Sequence, residues 1–402
     1  MKAGHMKAVT WQGKRDVEVK QVPDPFIQEP TDAIIKITST AICGSDLHLY
    51  EVMTPFMEKD DILGHEPMGI VQEVGSQVKH IKVGDRVVVP FNIACGSCTN
   101  CLKGLTTQCE TTQVKEMNRG AAMFGYTKLY GHVPGGQAEF LRVPHADFMA
   151  KKVPEGPPDE RFLYLSDVLP TAWQAVKYAN IPVNRTVAVV GLGPIGEMST
   201  RIARHQGAER IIGIDLVPER LERAAAHGVE VIDVREFEGD QQALAQAVRD
   251  KLGGHDPEAV IDAVGMEAHG SPNAKAAQHL TGMLPDKAAQ KVFTTAGIDR
   301  MFALHSAIEM VGRGGTLSIV GVYAGQTDPI SLDALFDKQV QIRMGQANAP
   351  FWTPEILPLL TEDNTFDVEN FATHRLSLDD APHAYDIFQK KQDNAFKIVL
   401  KP

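Results

Sequence analysis

Four of the chain's five cysteines, Cys95, Cys98, Cys101 and Cys109, form a C-x2-C-x2-C-x7-C run. Zinc favours four tetrahedral thiolates, and this spacing lets one short segment wrap the ion without help from a hydrophobic core. The gaps do not match the ferredoxin run that holds iron–sulfur clusters. A closed four-thiolate site leaves no position for substrate, so the expected role is a structural zinc. An odd cysteine count fits poorly with a disulfide framework, and the crowding reads as metal binding in a reducing, cytoplasmic compartment.

A second chemical signal begins at Gly191-Leu192-Gly193-Pro194-Ile195-Gly196. An apolar strand-like run, Val187–Val190, precedes it, a helical stretch follows from Glu197, and Asp215 comes nineteen residues after the last glycine. Gly191 allows the tight turn, Gly193 lets a pyrophosphate approach the backbone, and Gly196 permits close helix–strand packing. Pro194 suits a first helical turn, whose free amides would face the phosphates. Asp215 ends the next strand-like run and would meet the adenosine ribose hydroxyls. Its charge would repel a 2′-phosphate, so NAD is favoured over NADP. Arg220 is placed to stack on adenine or to complicate that choice.

Cys43, the remaining cysteine, lies in Ile42-Cys43-Gly44-Ser45-Asp46-Leu47-His48, and Leu63-Gly64-His65-Glu66-Pro67 follows. Taken alone, Cys43 reads as a small buried apolar residue and His65 as a satisfied histidine. ICGSDxH, LGHE, the four-cysteine loop and GLGPIG in this order, however, resemble the zinc-containing medium-chain alcohol dehydrogenases over nearly the whole chain. Within that family the chain is most similar to the glutathione-independent formaldehyde dehydrogenase and formaldehyde dismutase branch. That likeness rests on Val89-Pro90-Phe91-Asn92-Ile93-Ala94-Cys95, Gly135-Gly136-Gln137-Ala138-Glu139-Phe140 and Leu165-Ser166-Asp167-Val168-Leu169-Pro170-Thr171. The long segment after Asp262-Ala263-Val264-Gly265 also resembles one that shields the cofactor's adenosine in that branch.

The resemblance implies a catalytic zinc on Cys43, His65 and Asp167, with Asp167 standing where most of the family has a second cysteine. Thiolate and carboxylate together cancel the metal's two charges, and three ligands leave a fourth position open. Glu66 is implied as an outer or transient ligand. The implied chemistry is reversible alcohol–aldehyde oxidoreduction, with zinc as the Lewis acid and NAD as the hydride acceptor. Ser45 would take the substrate proton, and His48 would deliver it to solvent by way of the nicotinamide ribose. Asp46 between them receives no role beyond orienting backbone. Further implied cofactor contacts are Gly44, Pro194, Ile195, Val264, His269, Val320, Val322 and Gly345.

The elements that must position these groups follow from hydrophobic patterning. Residues 1–165 carry short β-branched runs between Gly, Pro and Asp, such as Ala33–Ile37, Gly69–Val74 and Arg86–Pro90, which suggest a compact β-rich, barrel-like domain. The resemblance gives it a chaperonin-10-like (GroES-like) fold carrying both zinc sites. Residues 166–339 alternate strand-like runs with Ala-, Glu- and Arg-rich helical stretches, the signature of βαβ units and a doubly wound parallel sheet of Rossmann type. An insertion spans about 266–303. Residues 340–402 hold a helical candidate at Ala381–Lys391 and a strand at Phe396–Lys401, expected to return to the first domain.

The 402 residues are too many for one ordinary core. A formal net charge of −11 argues against nucleic acid or anionic membrane as a partner. No stretch is long and apolar enough to span a bilayer, and the N-terminus lacks a secretory signal pattern. A small alcohol or aldehyde is the expected substrate, and the family suggests a homotetramer or homodimer. Two rival readings are a dehydrogenase of larger secondary alcohols or polyols, and a non-catalytic nucleotide-binding protein of the same fold. Tyr50, Trp173 and Phe351 are unranked candidates for the substrate pocket.

Overall fold

Strands rich in β-branched residues alternate along the N-terminal third, and antiparallel pairing lets each show one face to a core and the other to water. The computed structural model describes residues 4–237, 239–265, 301–323 and 330–402. These divide into two compact units, one made of residues up to Pro170 with Ala347–Pro402, the other of Thr171–Gln346. The sequence reading set these divisions at 165/166 and 339/340. The difference matters for Asp167, which lies in the first unit together with Cys43 and His65.

The first unit opens with the hairpin β1 (His5–Gly13) and β2 (Asp16–Pro23). Its main strands are β3 (Ala33–Ile42), β4 (Glu66–Val74), β5 (Arg86–Val88), β6 (Phe140–Val143) and β7 (Lys151–Lys152). The chain's last two strands, β14 (His374–Ser377) and β15 (Ile398–Lys401), complete it in the order β14-β15-β3-β4-β5-β7, with β6 paired to β3. β15 is antiparallel to the far half of β3, so the C-terminal tail closes on the strand that leads to Cys43. β3 runs beyond the apolar run Ala33–Ile37 because Ser39 and Thr40 are themselves fully buried and continue the ladder with β4.

The second unit is built on β8 (Thr186–Val190), β9 (Arg210–Asp215), β10 (Glu230–Asp233), β11 (Ala259–Asp262), β12 (Thr316–Ile319) and β13 (Gln341–Met344). All pairings are parallel, in the order β10-β9-β8-β11-β12-β13. Numbered within the unit this is 3-2-1-4-5-6, the doubly wound dinucleotide order. The central strands are apolar on both faces because helices such as Pro194–His205, Gln241–Lys251 and Phe302–Met310 cover them. The expected insertion and His269 lie outside the described residues, except that residues 301–303 lead into the helix Phe302–Met310. Among the described residues no helix is long and apolar enough to cross a membrane.

Candidate active site

The end of β3 and the start of β4 are antiparallel neighbours, with Ala41 opposite Glu66. That register sets Cys43, just past β3, beside His65, just before β4. Cys43 also caps the N-terminus of the helix Gly44–Glu51. Asp167 arrives from the turn before the helix Val168–Ala179, anchored by a hydrogen bond from Phe91 N–H to the Ser166 carbonyl. Cys43 Sγ is 3.2 Å from Asp167 Oδ2, and His65 Nε2 is 3.6 Å from the same oxygen. Donor atoms of Cys43, His65, Glu66 and Asp167 all lie within 4.8 Å of one another, and all four residues are buried there.

Burial, with the Asp167 carboxylate next in effect, pushes the Cys43 thiol up to about 11. Ionised together, Cys43 and Asp167 carry two negative charges in a closed space, which a divalent cation would cancel. The donor set therefore fits zinc. Glu66 is fully buried and held by Lys397, also fully buried, whose Nζ donates to it and, at 3.1 Å, to the Ile42 carbonyl. Lys397 thus balances the charge of Glu66.

Asp46 has a larger part than backbone orientation. Its Oδ1 lies 3.0 Å from His65 Nδ1, so that the other ring nitrogen, Nε2, faces Cys43 and Asp167. Its Oδ2 accepts from Cys43 N–H at 2.9 Å and from Gln137 Nε2 at 3.3 Å. Tyr385 donates to Gln137 Oε1 at 2.8 Å, extending the network to the C-terminal helix Ala381–Lys390. The only local hint of Asp46 was an acid three residues into a helix, at a position suited to capping. Gln137 stood only within a run that carries the family likeness, with no role of its own, and Tyr385 and Lys397 gave no local hint.

Ser45 Oγ sits 3.3 Å from His65 Nε2, on the donor side of the cluster. His48 is three residues further along the same helix, hence on the same face, and is nearly buried. Of the candidate pocket residues, Tyr50 packs in the core against Tyr385, with ring centroids 5.4 Å apart, and Trp173 is buried against His205 and Lys177. Phe351 is half exposed and covers Gly104. The first two are spent on packing, which is what large rings in these helices do first.

The sulfurs of Cys95, Cys98, Cys101 and Cys109 also lie within 4.8 Å of one another, with no disulfide. Main-chain amides point at them: Cys98 N–H to Cys95 Sγ at 3.3 Å, Cys95 N–H to Cys109 Sγ at 3.3 Å and Glu110 N–H to Cys98 Sγ at 3.4 Å. Against burial, bonds from Thr111, Ser97 and Cys98 bring the Cys95 thiol down to about 5. Amides aimed at sulfur favour thiolate, the form that binds metal. Gly96 and Gly104 both have positive φ, at 75° and 80°. A Cβ on Gly96 would lie 2.4 Å from the Phe148 ring, so the turn is open only to glycine.

In the second unit β8 runs into Gly191 at φ 88°, and Gly193 caps the helix Pro194–His205. A Cβ on Gly196 would fall 1.7 Å from the Gly191 carbonyl oxygen, and one on Gly191 2.5 Å from Val264. On Gly193 it would meet nothing closer than Arg220, at 3.6 Å. Gly191 and Gly196 are thus required by the fold, whereas Gly193 keeps space open for something else. Asp215 accepts Leu192 N–H at 2.7 Å on one carboxylate oxygen and Leu216 and Val217 N–H on the other. Arg220 lies 3.7 Å from it. Gly345 has φ 146°, and Val322 is half exposed beyond β12.

Comparison with known proteins bears on this geometry. Residues 29–155 match the model of the alcohol dehydrogenase GroES-like domain, and residues 194–279 that of the zinc-binding dehydrogenase. An uncharacterised zinc-type alcohol dehydrogenase-like protein of Bacillus subtilis is 41% identical over 99% of this chain and 100% of its own length. The formaldehyde dismutase of Pseudomonas putida is 32% identical, over 98% of this chain and 97% of the relative. Among solved structures, the alcohol dehydrogenase TADH from Thermus sp. ATN1 superposes with a TM-score of 0.80 at 32% identity, covering 98% of this chain and 99% of that one.

Proposed function

The chain belongs to the zinc-containing alcohol dehydrogenase family, with a GroES-like domain and a Rossmann-type domain, and from that premise we propose an NAD-linked oxidoreductase acting on formaldehyde or another small aldehyde or alcohol. The observation that carries this reading is the buried donor cluster of Cys43, His65 and Asp167, with a carboxylate in the third place. Likeness to the formaldehyde dismutase, over almost the full length of both chains, supports the small substrate. A hydrated aldehyde is a gem-diol and presents the same hydroxyl as an alcohol.

We assign Cys43, His65 and Asp167 to a catalytic zinc, and the four-cysteine loop to a structural one. When bound, zinc would supply a Lewis acid for the substrate oxygen and NAD a hydride acceptor. Asp46 holds His65 in one tautomer, and Lys397 holds Glu66 back as the balanced carboxylate of the set. Ser45 Oγ, beside His65 Nε2, is placed to take the substrate's hydroxyl proton. His48, on the same helical face, passes it outward. Gly191 to Gly196 and the helix behind them would hold the pyrophosphate, and Asp215 the adenosine ribose. Val264, Val320, Val322 and Gly345 lie beyond the strands on the other side.

A second reading, a general alcohol dehydrogenase that extends to larger alcohols and does not favour formaldehyde, follows from an identity to the Thermus alcohol dehydrogenase equal to that with the dismutase, neither name fixing substrate size. Turnover measured with NAD and with NADP over a panel from formaldehyde to branched secondary alcohols separates the two. The proposal expects formaldehyde or a small alcohol with NAD to give the highest kcat/KM. A panel in which larger secondary alcohols are turned over best, with no turnover of formaldehyde, overturns the proposed substrate.

A further inference from the structure

Asp262, the last residue of β11, is fully buried, and nothing in the proposed chemistry uses its carboxylate. A buried acid persists only where hydrogen bonds compensate for its desolvation. Here Oδ1 accepts Val264 N–H at 3.0 Å and Gly265 N–H at 3.1 Å, and Oδ2 accepts the Tyr323 hydroxyl at 2.5 Å. The Asp262 carbonyl takes Val320 N–H at 3.0 Å and Gly321 N–H at 2.9 Å. One residue thus ties the segment after β11 to the segment after β12.

The two segments are packed backbone to backbone. A Cβ on Gly265 would lie 2.5 Å from Val322 N, and one on Gly321 2.2 Å from Gly265 N. The first segment stands at the switch of strand order between β8 and β11, where doubly wound sheets bind their ligands, and the second follows the neighbouring strand β12. Val264 abuts Gly191 of the glycine turn. Asp215 marks the β9 side as the adenosine end, so a dinucleotide crossing the switch lays its other half beyond β11 and β12.

We infer that Asp262 and Tyr323 are positioning residues that clamp residues 263–265 to residues 320–322 and so shape the seat of the nicotinamide ring. The inference rests on the dinucleotide reading above. Tyr323→Phe removes one hydroxyl and leaves the ring packed on the core of its unit. NADH and ADP-ribose, which lacks only the nicotinamide, are titrated against wild type and variant, with NADPH and 2′-phospho-ADP-ribose in parallel.

Loss of a charge-assisted hydrogen bond at the seat should weaken the reduced dinucleotide about tenfold. ADP-ribose affinity should stay within about twofold, and KM for the dinucleotide should rise more than kcat falls. Equal weakening of both ligands, or of neither, overturns the clamp. Asp262→Asn repeats the test from the other partner, and urea unfolding checks that each variant is folded. Wild type binding none of the four nucleotides would sink the dinucleotide reading itself, and the clamp with it.

Discussion

Asp46 Oδ1 lies 3.0 Å from His65 Nδ1, and the two side chains are almost completely buried. This contact fixes which ring nitrogen faces the donor cluster. Asp46→Asn keeps the shape of the side chain and the bond to Cys43 N–H but removes the charge that favours one tautomer. Zinc affinity and kcat are each expected to fall by about 10–100-fold, as for other carboxylates behind a ligating histidine. Zinc retained against a graded chelator, read beside turnover, checks this.

Lys397 and Glu66 form a buried ion pair between residues far apart in sequence. Lys397→Met leaves Glu66 buried without its cation and should cost about 3–5 kcal/mol in urea unfolding. Glu66→Gln added to it should recover part of that loss, because no bare charge remains. A double variant no more stable than Lys397→Met would show that the lysine acts by something other than pairing.

Glycines of one motif should behave differently. Gly196→Ala drives a methyl into the Gly191 carbonyl, 1.7 Å away, and should lower Tm by several degrees. Gly193→Ala meets open space, so Tm should hold within about 2 °C. The same change should weaken NADH binding about tenfold or more, since the pyrophosphate needs that approach. Thermal unfolding and NADH titration of the two variants give both answers.

Much of this site was legible because its signals are local. Gly191 to Gly196 and the four cysteines announce themselves within a few residues, since one turn and one loop carry their whole geometry. Cys43, His65 and Asp167 come from three separate segments, and spacing alone left Cys43 and His65 as ordinary buried residues. Only the likeness to a family joined them. Lys397, Gln137 and Tyr385 stayed hidden because their partners are reached only when β15 closes on β3 and the C-terminal helix packs behind the site. Asp46 was in view but silent, since its partner, His65, lies across a strand pair.

Asp159 reports on the pH dependence of the first unit. Burial alone would raise its pKa, but Thr38, Arg86 and Ser39 bond to its carboxylate and hold it below the usual 3.8. A depressed carboxyl stabilises the fold above its unfolded pKa, and that contribution is lost as pH falls through the folded value. Asp159→Asn should therefore cost about 1–3 kcal/mol near neutral pH. The difference from wild type should shrink below about pH 4. Urea midpoints of both proteins from pH 7 to pH 3 test it, and a gap that widens on acidification would contradict it.

Zinc counted per chain by plasma mass spectrometry, in wild type and in Asp167→Ala, tests the central assignment most directly. The account predicts two zincs in wild type and one in the variant, with turnover lost while the four-cysteine site stays filled. A variant that keeps two zincs and its turnover would show that Asp167 is no ligand and that the catalytic centre has been misassigned.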